Sequence, residues 1–596
     1  MYGTRIGSLI AGICLLSALP TAPAAPAGDA SSTPEVRREY PVMGAPSNPK
    51  VDVHWNRYHD YAEITDILKR LAKAHPKLAK LQSLGKSYGG REMWVLTITN
   101  SATGADSEKP AFWIDGGIHA NELQGPEVAT YTAWYLLETY GRVPQSTELL
   151  DRRTFYILPM LSPDSRDAHM YRPNNRHSPR SGQRPVDDDR DGLVDEDGPD
   201  DLDGDGNITM MRVRDPAGRY KSHPDYPQIM VPAEPDEPGE YRLLGTEGFD
   251  NDDDGRVNED GDGYYDPNRD WGWNWQPSYV QRGAYRYPFS ILENRMAADF
   301  ITAHPNIAGA QSYHNFGGLL LRGPGVPEET FPAADRRVYD VIAEKGEKIL
   351  PGYRYIVIGR ELYGVYGGEI DWLHNMRGIF TFSNELFTAY NYFRSSDDGG
   401  GPKSREETMA EFDRFLLGRA GYVAWHEVDH PQYGKVEVGG PVKSWGRQPP
   451  SFLLEEECHR NMAFTLYHAE QMPLVEIDRV DVVKLDNDLY QVTVAVANRR
   501  VTPTHAAVDV QHHITPPDRV TVSGPGLRVF SGLRADDPTF RNAKEQKNAP
   551  ETMRIANIPG MEAVYVRWFL DAEGPISVQV ESVKGGRDSK SDIALP

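Results

Sequence analysis

The sequence predicts an α/β architecture followed by an all-β, sandwich-like C-terminal domain, and three patterns predict it. Over most of the chain, short apolar runs broken by glycine alternate with segments of helical period. From about Val475 the apolar residues alternate at period two between Gly and Pro turns. A stretch at about 185–265 follows neither pattern and is dense in aspartate.

The elements follow in order. Residues 1–5 carry one positive charge, 6–19 are apolar and Ala22-Pro23-Ala24 supplies small residues for cleavage, so 1–24 reads as a secretory signal peptide and the product as secreted or periplasmic. Residues 25–48, rich in Ala, Pro and Ser, read as a flexible lead-in to an α/β domain over 49–472. Ile64, Ile67, Leu68 and Leu71 have the spacing of an amphipathic helix over 60–75, which Pro76 ends, and a strand follows at 93–100. Ala111-Phe112-Trp113-Ile114-Asp115 reads as a buried strand broken by Gly116-Gly117; Pro126 then opens a helix running through Tyr140 to a stop at Gly141. Strand-like runs recur at 310–316 and 380–386, and helices at 406–417 and 452–469. Between those helices His426-Glu427-Val428-Asp429-His430 reads as an exposed polar loop rather than a metal site. In the β domain, 475–596, strands are expected at 490–496, 508–510, 564–568 and 576–580.

Composition narrows the function classes. A net charge of −23 makes nucleic acid an improbable partner, and 39% hydrophobic residues mark a globular chain. No segment after the leader approaches the roughly 20 apolar residues of a membrane span. Cys14 lies in the leader, so the mature chain would keep only Cys458 and could form no internal disulfide.

The chemistry-bearing residues begin at Gly116-Gly117-Ile118-His119-Ala120-Asn121-Glu122. Catalytic Zn²⁺ takes three protein ligands, commonly imidazole and carboxylate, and leaves a fourth position for water. His119 and Glu122 can reach one ion from a single strand-to-helix turn, and such turns gather at the carboxyl ends of strands, where open α/β sheets carry their sites. His-x-x-Glu alone recurs by chance. His314, ahead of Gly317-Gly318, and Glu385, in Phe380-Thr381-Phe382-Ser383-Asn384-Glu385-Leu386, offer a further ligand and a carboxylate to take a proton from water. Asn268-Arg269 sets an amide beside a guanidinium, a suitable fork for a carboxylate, and Tyr363 puts a phenol on a glycine-rich loop.

In chain order, Gly85-Lys86-Ser87-Tyr88-Gly89-Gly90-Arg91, His119-x-x-Glu122, Ser162-Pro163-Asp164, Asn268-Arg269, His314, Tyr363 and Glu385 resemble the zinc carboxypeptidases of the A and B type, over roughly residues 45–430. The resemblance implies a mixed twisted sheet flanked by helices and peptide or protein substrates. It implies zinc on His119, Glu122 and His314, and Glu385 as general base and then acid. Asn268, Arg269 and Tyr363 would hold the substrate's terminal carboxylate. The family's carbonyl-polarising arginine should follow Ser162-Pro163-Asp164, where Arg172, Arg176 and Arg180 compete; Arg180, with Arg184 close behind, is the choice, and the other two read as surface arginines. Ser162 stands where the family has Asn, a change that matters little if the residue only shapes a turn.

In the family the residue before Asp371-Trp372 floors the pocket for the terminal side chain. Here it is Ile370, which favours hydrophobic or aromatic ends over a desolvated cation. Glu369 would oppose this if it turned inward, but is expected to be exposed.

The acidic stretch repeats one register. Asp187, Asp189, Asp191 and Asp195 are followed by Asp201, Asp203 and Asp205, then by Asp250, Asp252 and Asp254, with Gly at each sixth position. Alternate carboxylates on a tight loop suit the oxygen shell of Ca²⁺, so a structural Ca²⁺ is expected beside the catalytic Zn²⁺. The rival readings are an amidase acting on cell-wall peptide stems, and an exported, calcium-stabilised binding protein using the same scaffold.

Overall fold

The first sheet has eight strands in the spatial order 79–86, 92–98, 154–158, 111–116, 307–315, 380–386, 319–322, 354–357. The strands 154–158, 111–116, 307–315 and 380–386 pair parallel, while 79–86 with 92–98 and 319–322 with 380–386 pair antiparallel. The sheet is mixed and flanked by helices, as expected. The computed structural model describes residues 42–187, 192–251, 253, 255–258, 263, 265–394, 404–486 and 488–596. The leader, Asp189, Asp191, Asp252 and Asp254 lie outside the described residues.

Both faces of the sheet are apolar because its central strands are covered on both sides. Phe112 and Ile114 pack into one core with Val128, Tyr131 and Leu136 of the helix Gln124–Thr139 and Cys458 and Leu466 of Ser451–Glu470. Their neighbours Ala111 and Trp113 face the other way, into a core with Phe300 of Leu292–Ala303 and Trp372 of Glu369–Arg377. The helix Tyr61–Ala74 starts in a capping box at Asp60 and Glu63, and buries Ile64, Ile67, Leu68 and Leu71 on the expected face. The helical stretch near 406–417 is an α-helix over Arg405–Phe412 continued by a π turn over Asp413–Leu417.

The acidic segment contributes to a second, six-stranded sheet, ordered 422–430, 434–441, 210–214, 241–246, 220–222, 230–232. Its hairpin 422–441 comes from beyond Glu385, and Met211, Val436 and Val438 form its small core. This corrects the loop expected at His426–His430: those residues lie in the strand Tyr422–His430, because they pair with 434–438. His430 is buried with its ring against the Gly248 carbonyl, while the exposed His426 faces Asp203 at 3.2 Å.

After 474 the chain forms a five-stranded and a four-stranded antiparallel sheet that share one core, with Val494, Val566 and Trp568 from one and Val520, Met553 and Val578 from the other. Residues 508–510, expected as strand, lie in the helix Ala507–His512, since both carboxylate oxygens of Asp335 accept from Ala507 N and Val508 N and hold its first turn. That helix carries a buried ionic joint. Asp509 Oδ2 lies 3.0 Å from Lys584 Nζ and 3.5 Å from His505, and His505 lies 3.1 Å from Asp518. Lys584 Nζ also donates to the carbonyls of Arg377 and Gly378, tying the β sandwich to the end of the helix Glu369–Arg377. Among the described residues no helix is long and apolar enough to cross a membrane.

Candidate active site

Three strand ends build the site. The strand Ala111–Gly116 ends one residue before Gly117, whose φ of +63° turns the chain toward His119 and Glu122. Gly116 and Gly125 are needed there: a Cβ on Gly116 would meet the Gly125 carbonyl carbon at 2.7 Å, and one on Gly125 would meet the Tyr313 oxygen at 2.9 Å. The start of the helix Gln124–Thr139 is thereby seated directly on the strand ends. On the neighbouring parallel strands His314 and Glu385 are register partners, so a ligand and a carboxylate emerge side by side.

The Gly-Lys-Ser-Tyr-Gly-Gly-Arg and Ser-Pro-Asp motifs form one knot beneath this turn. Asp164 accepts from Ser87 Oγ, Gly89 N and Arg91 Nη1, and Arg91 Nη2 reaches Asp167. Ser162 does more than shape a turn: its N and Oγ donate to the carbonyls of Gly117 and Ile118, bracing the segment that leads to His119.

His119, Glu122 and His314 are all buried and aim one atom each at a common point. The two Nδ1 atoms lie 3.2 Å apart, His119 Nδ1 lies 3.1 Å from Glu122 Oε1, and His314 Nδ1 lies 3.0 Å from Glu122 Oε2. Tetrahedral zinc with bonds of about 2.0 Å has ligand–ligand edges of about 3.3 Å, so this triangle fits one face of such a shell. A cation bound there would meet the facing lone pairs of the two ring nitrogens. The far nitrogen of His119 is held by Asp266 Oδ1 at 2.8 Å, which fixes the ring for ligation through Nδ1.

Around the triangle stand the other expected residues. Arg180 donates to Glu122 Oε1 at 3.1 Å and to Asp266 Oδ2 at 3.2 Å, and these carboxylates raise its pKa against the cost of burial. Of its competitors, Arg172 points to Gln183, while Arg176 is half-buried against His177 rather than on the open surface. A cavity of about 40 Å³ is lined by His119, Arg180, Asn268, Arg269, His314, Tyr363, Ile370 and Glu385 together. Tyr363 is half-exposed at its rim, and Asn268 Oδ1 accepts from Glu369 N. Burial, then the nearby Glu122, pushes the Glu385 carboxyl up to about 7. Glu122 itself is held well below the usual range by the two histidines, although burial works against this.

Ile370 is buried on the cavity wall, in an apolar cluster with Leu321, Ile358 and Val365. Glu369 is not exposed. It is fully buried and turned into the cavity lining, accepting from Ser312 Oγ at 3.1 Å, and burial beside Asp115 raises its pKa well above the ordinary value. The start of the helix Glu369–Arg377 faces inward, which local sequence did not reveal.

Two further residues carry no sequence signal of their own. Asp266 was legible only as a neighbour of Asn268-Arg269. Arg447, 7% exposed, donates to Glu122 Oε1 and the Asn315 carbonyl, both at 2.8 Å, from a loop far along the chain.

In the acidic segment the three loops share one turn: the first carboxylate accepts from the sixth-position glycine, at 3.2 Å for Asp187 and Gly192, 2.8 Å for Asp201 and Gly206, and 3.0 Å for Asp250 and Gly255. Asp201 and Asp203 converge with Glu247, which follows the strand Tyr241–Thr246, and burial pushes the Glu247 carboxyl up to about 7. Asp195 accepts from Val186 N at 3.1 Å.

Residues 64–191 match the sequence profile of the zinc carboxypeptidases, and 474–591 match a domain of unknown function. The segment that matches the zinc-carboxypeptidase profile includes His119, Glu122 and Arg180. Carboxypeptidase D of Mus musculus is 34% identical over 116 residues, 20% of this chain and 8% of that protein. Carboxypeptidase B of Astacus astacus is 39% identical over 110 residues, 18% of this chain and 34% of that protein. Carboxypeptidase A1 of Sus scrofa is 25% identical over 344 residues, 55% of this chain and 62% of that protein. The chain therefore spans less than two thirds of the length of each of these relatives. Among solved structures, thrombin activatable fibrinolysis inhibitor aligns with a TM-score of 0.43 at 16% identity, over 72% of this chain and 79% of that one.

Proposed function

We propose that the protein is an exported zinc-dependent carboxypeptidase that hydrolyses the C-terminal peptide bond of peptides or proteins. The observation that carries this reading is the convergence of His119, Glu122 and His314 at ligand spacing, with Glu385 lining the same cavity. Zinc bound there would act as a Lewis acid on the scissile carbonyl and lower the pKa of water.

The chain's own residues supply the rest. Asn268, Arg269 and Tyr363, together at the cavity, bind the terminal carboxylate, which restricts cleavage to chain ends. Glu385 takes the proton of the attacking water and returns it to the leaving amine; a carboxyl near neutrality can do both. Arg180, adjacent to the ligand triangle, donates to the carbonyl oxygen as negative charge develops on it. Leu321, Ile358, Val365 and Ile370 favour hydrophobic or aromatic terminal side chains. Glu369 leaves that preference in place while neutral, with Oε1 as one polar atom on the floor. The acidic segment holds Ca²⁺ through Asp201, Asp203 and Glu247, which orders the chain leading to Asn268-Arg269.

Metal analysis of purified protein, combined with hydrolysis of blocked peptides by wild type and Glu385→Gln, tests the reading. Zinc retained by both proteins and a fall in kcat on the order of 10²–10⁴-fold in the variant are expected. An unaltered rate removes Glu385 as the base, and a folded wild type that takes up no zinc removes the carboxypeptidase reading. Calcium should be found alongside zinc; its absence from protein prepared in calcium would end the proposal for the acidic loops.

A further inference from the structure

Arg447, which donates to Glu122, and Arg405 both stand against one aromatic ring, that of Phe316. Arg447 Cζ lies 5.5 Å from the centroid of Phe316, and Arg405 Cζ lies 4.4 Å from it. Arg447 Nη1 approaches His177 Nδ1 at 3.4 Å, and Arg176 Nε approaches His177 Nε2 at 3.2 Å. Arg405 donates to the Gly446 carbonyl. His177 reports the field these groups make. Although His177 is exposed at the surface, its pKa is lowered to about 4 by partial desolvation of the ring and then by Arg176, Arg447, Arg405 and Arg180.

Among the described residues, the carboxylates that act on this group do not balance its charge. Glu122 accepts from both Arg447 and Arg180, and on the reading above it is a metal ligand. Glu406 is exposed beside Arg405 and acts on Arg176 at a distance. Arg447 Nε is buried with no partner, so a donor is already desolvated on this surface. Such an N–H is costly to leave unmade and is a strong partner for an anion.

Direction follows from the two sides of the triangle. The cavity that gathers Asn268, Arg269, Tyr363 and Ile370 contains none of Arg447, Phe316, Arg405 or Arg176, and Arg180 and Glu122 stand between the two groups. A peptide whose terminal carboxylate sits on the clamp and whose last peptide bond lies at the triangle runs its upstream residues toward Phe316 and these arginines.

We infer that Arg176, Arg405 and Arg447 around Phe316 form a carboxylate subsite that selects peptides with glutamate or aspartate just upstream of the scissile bond. This rests on the carboxypeptidase reading and adds a second selected position to it. The aromatic face seats the side-chain methylenes, and the guanidinium groups take the carboxylate.

The test uses the full-length, zinc-loaded protein and blocked peptides that share one terminal residue and differ only in Glu, Gln or Lys before it. With Glu, kcat/KM should exceed that with Gln by roughly tenfold, as for a hydrogen bond to a charged group, and Lys should be poorest. The Glu/Gln ratio should fall toward one in Arg405→Ala and Arg176→Ala, whose side chains are less buried than Arg447, and should shrink with added salt. Calorimetric binding of the Glu and Gln peptides to Glu385→Gln gives the same comparison without turnover. Equal kcat/KM for Glu and Gln, or equal affinity in the inactive variant, overturns the subsite whether or not cleavage occurs. A Glu preference in binding with no hydrolysis by wild type would keep the subsite and overturn the carboxypeptidase reading.

Discussion

The metal triangle and the joint between the two domains are both clusters of buried ionisable side chains, but they are built on opposite plans. At the joint each charge meets its complement: His505 stands between Asp509 and Asp518, and Lys584 spans Asp509 and two backbone carbonyls. At the triangle like groups are pressed together, ring nitrogen to ring nitrogen at 3.2 Å, with the Glu385 carboxyl pushed up by burial and then by Glu122. A buried cluster whose charges pair off is part of the fold, whereas ligand-type groups gathered within reach of one point are arranged for something that binds.

The strongest way to break this contrast is to remove one charge from the joint. Lys584→Met should cost about 3–5 kcal/mol, because Asp509 is left buried without its ammonium partner, and chemical denaturation should register it while zinc affinity stays near wild type. A loss under about 1 kcal/mol would show that the joint is not the satisfied structural cluster described.

A smaller, opposite effect is expected at the triangle. Asp266→Asn leaves the His119 ring less firmly oriented, so zinc affinity should fall roughly 10–100-fold, as seen when outer partners of a ligand are altered. The metal-free variant should unfold closer to wild type than Lys584→Met does. Unchanged affinity in a chelator competition would show that Asp266 does not position the ligand.

The mildest probe is pH. Partnering with Asp509 and Asp518 raises the His505 pKa to about 9 despite burial, so its contribution is complete below its ordinary value of 6.5 and is lost as pH rises through about 9. Asp509 is lowered, chiefly by His505 and Lys584 against burial, so its contribution is present above the ordinary carboxylate value and is lost as pH falls toward its depressed one. The stability of metal-free protein should therefore decline from pH 7 to 10, and Asp518→Asn should flatten that decline. An equally steep decline in the variant would remove His505 as its cause.

Legibility from sequence divides along the same physical line. Strand-end residues were readable because local patterns mark strand ends: glycines follow His314, and Gly116-Gly117 precede His119. The calcium-type register was readable because spacing alone defines it. What stayed hidden depends on contacts far apart in the chain. Glu369 is buried through Ser312, 508–510 is helical through Asp335, and His426 is in a strand through its pairing with 434–438 and the sheet that hairpin joins. Arg447 meets Glu122 across more of the chain than any local window covers.

The hairpin 422–441, which completes the sheet begun at 210–214, also sets a schedule. A chain leaving a ribosome exposes His119 and Glu122 early, yet lacks His314, then Glu385, and then the edge of the second sheet until 441. At synthesis rates of roughly 5–20 residues per second, that interval lasts tens of seconds. On the proposed reading, the nascent chain holds only separated parts of the site throughout that interval, so their order along the sequence would delay hydrolytic competence until most of the molecule has been made.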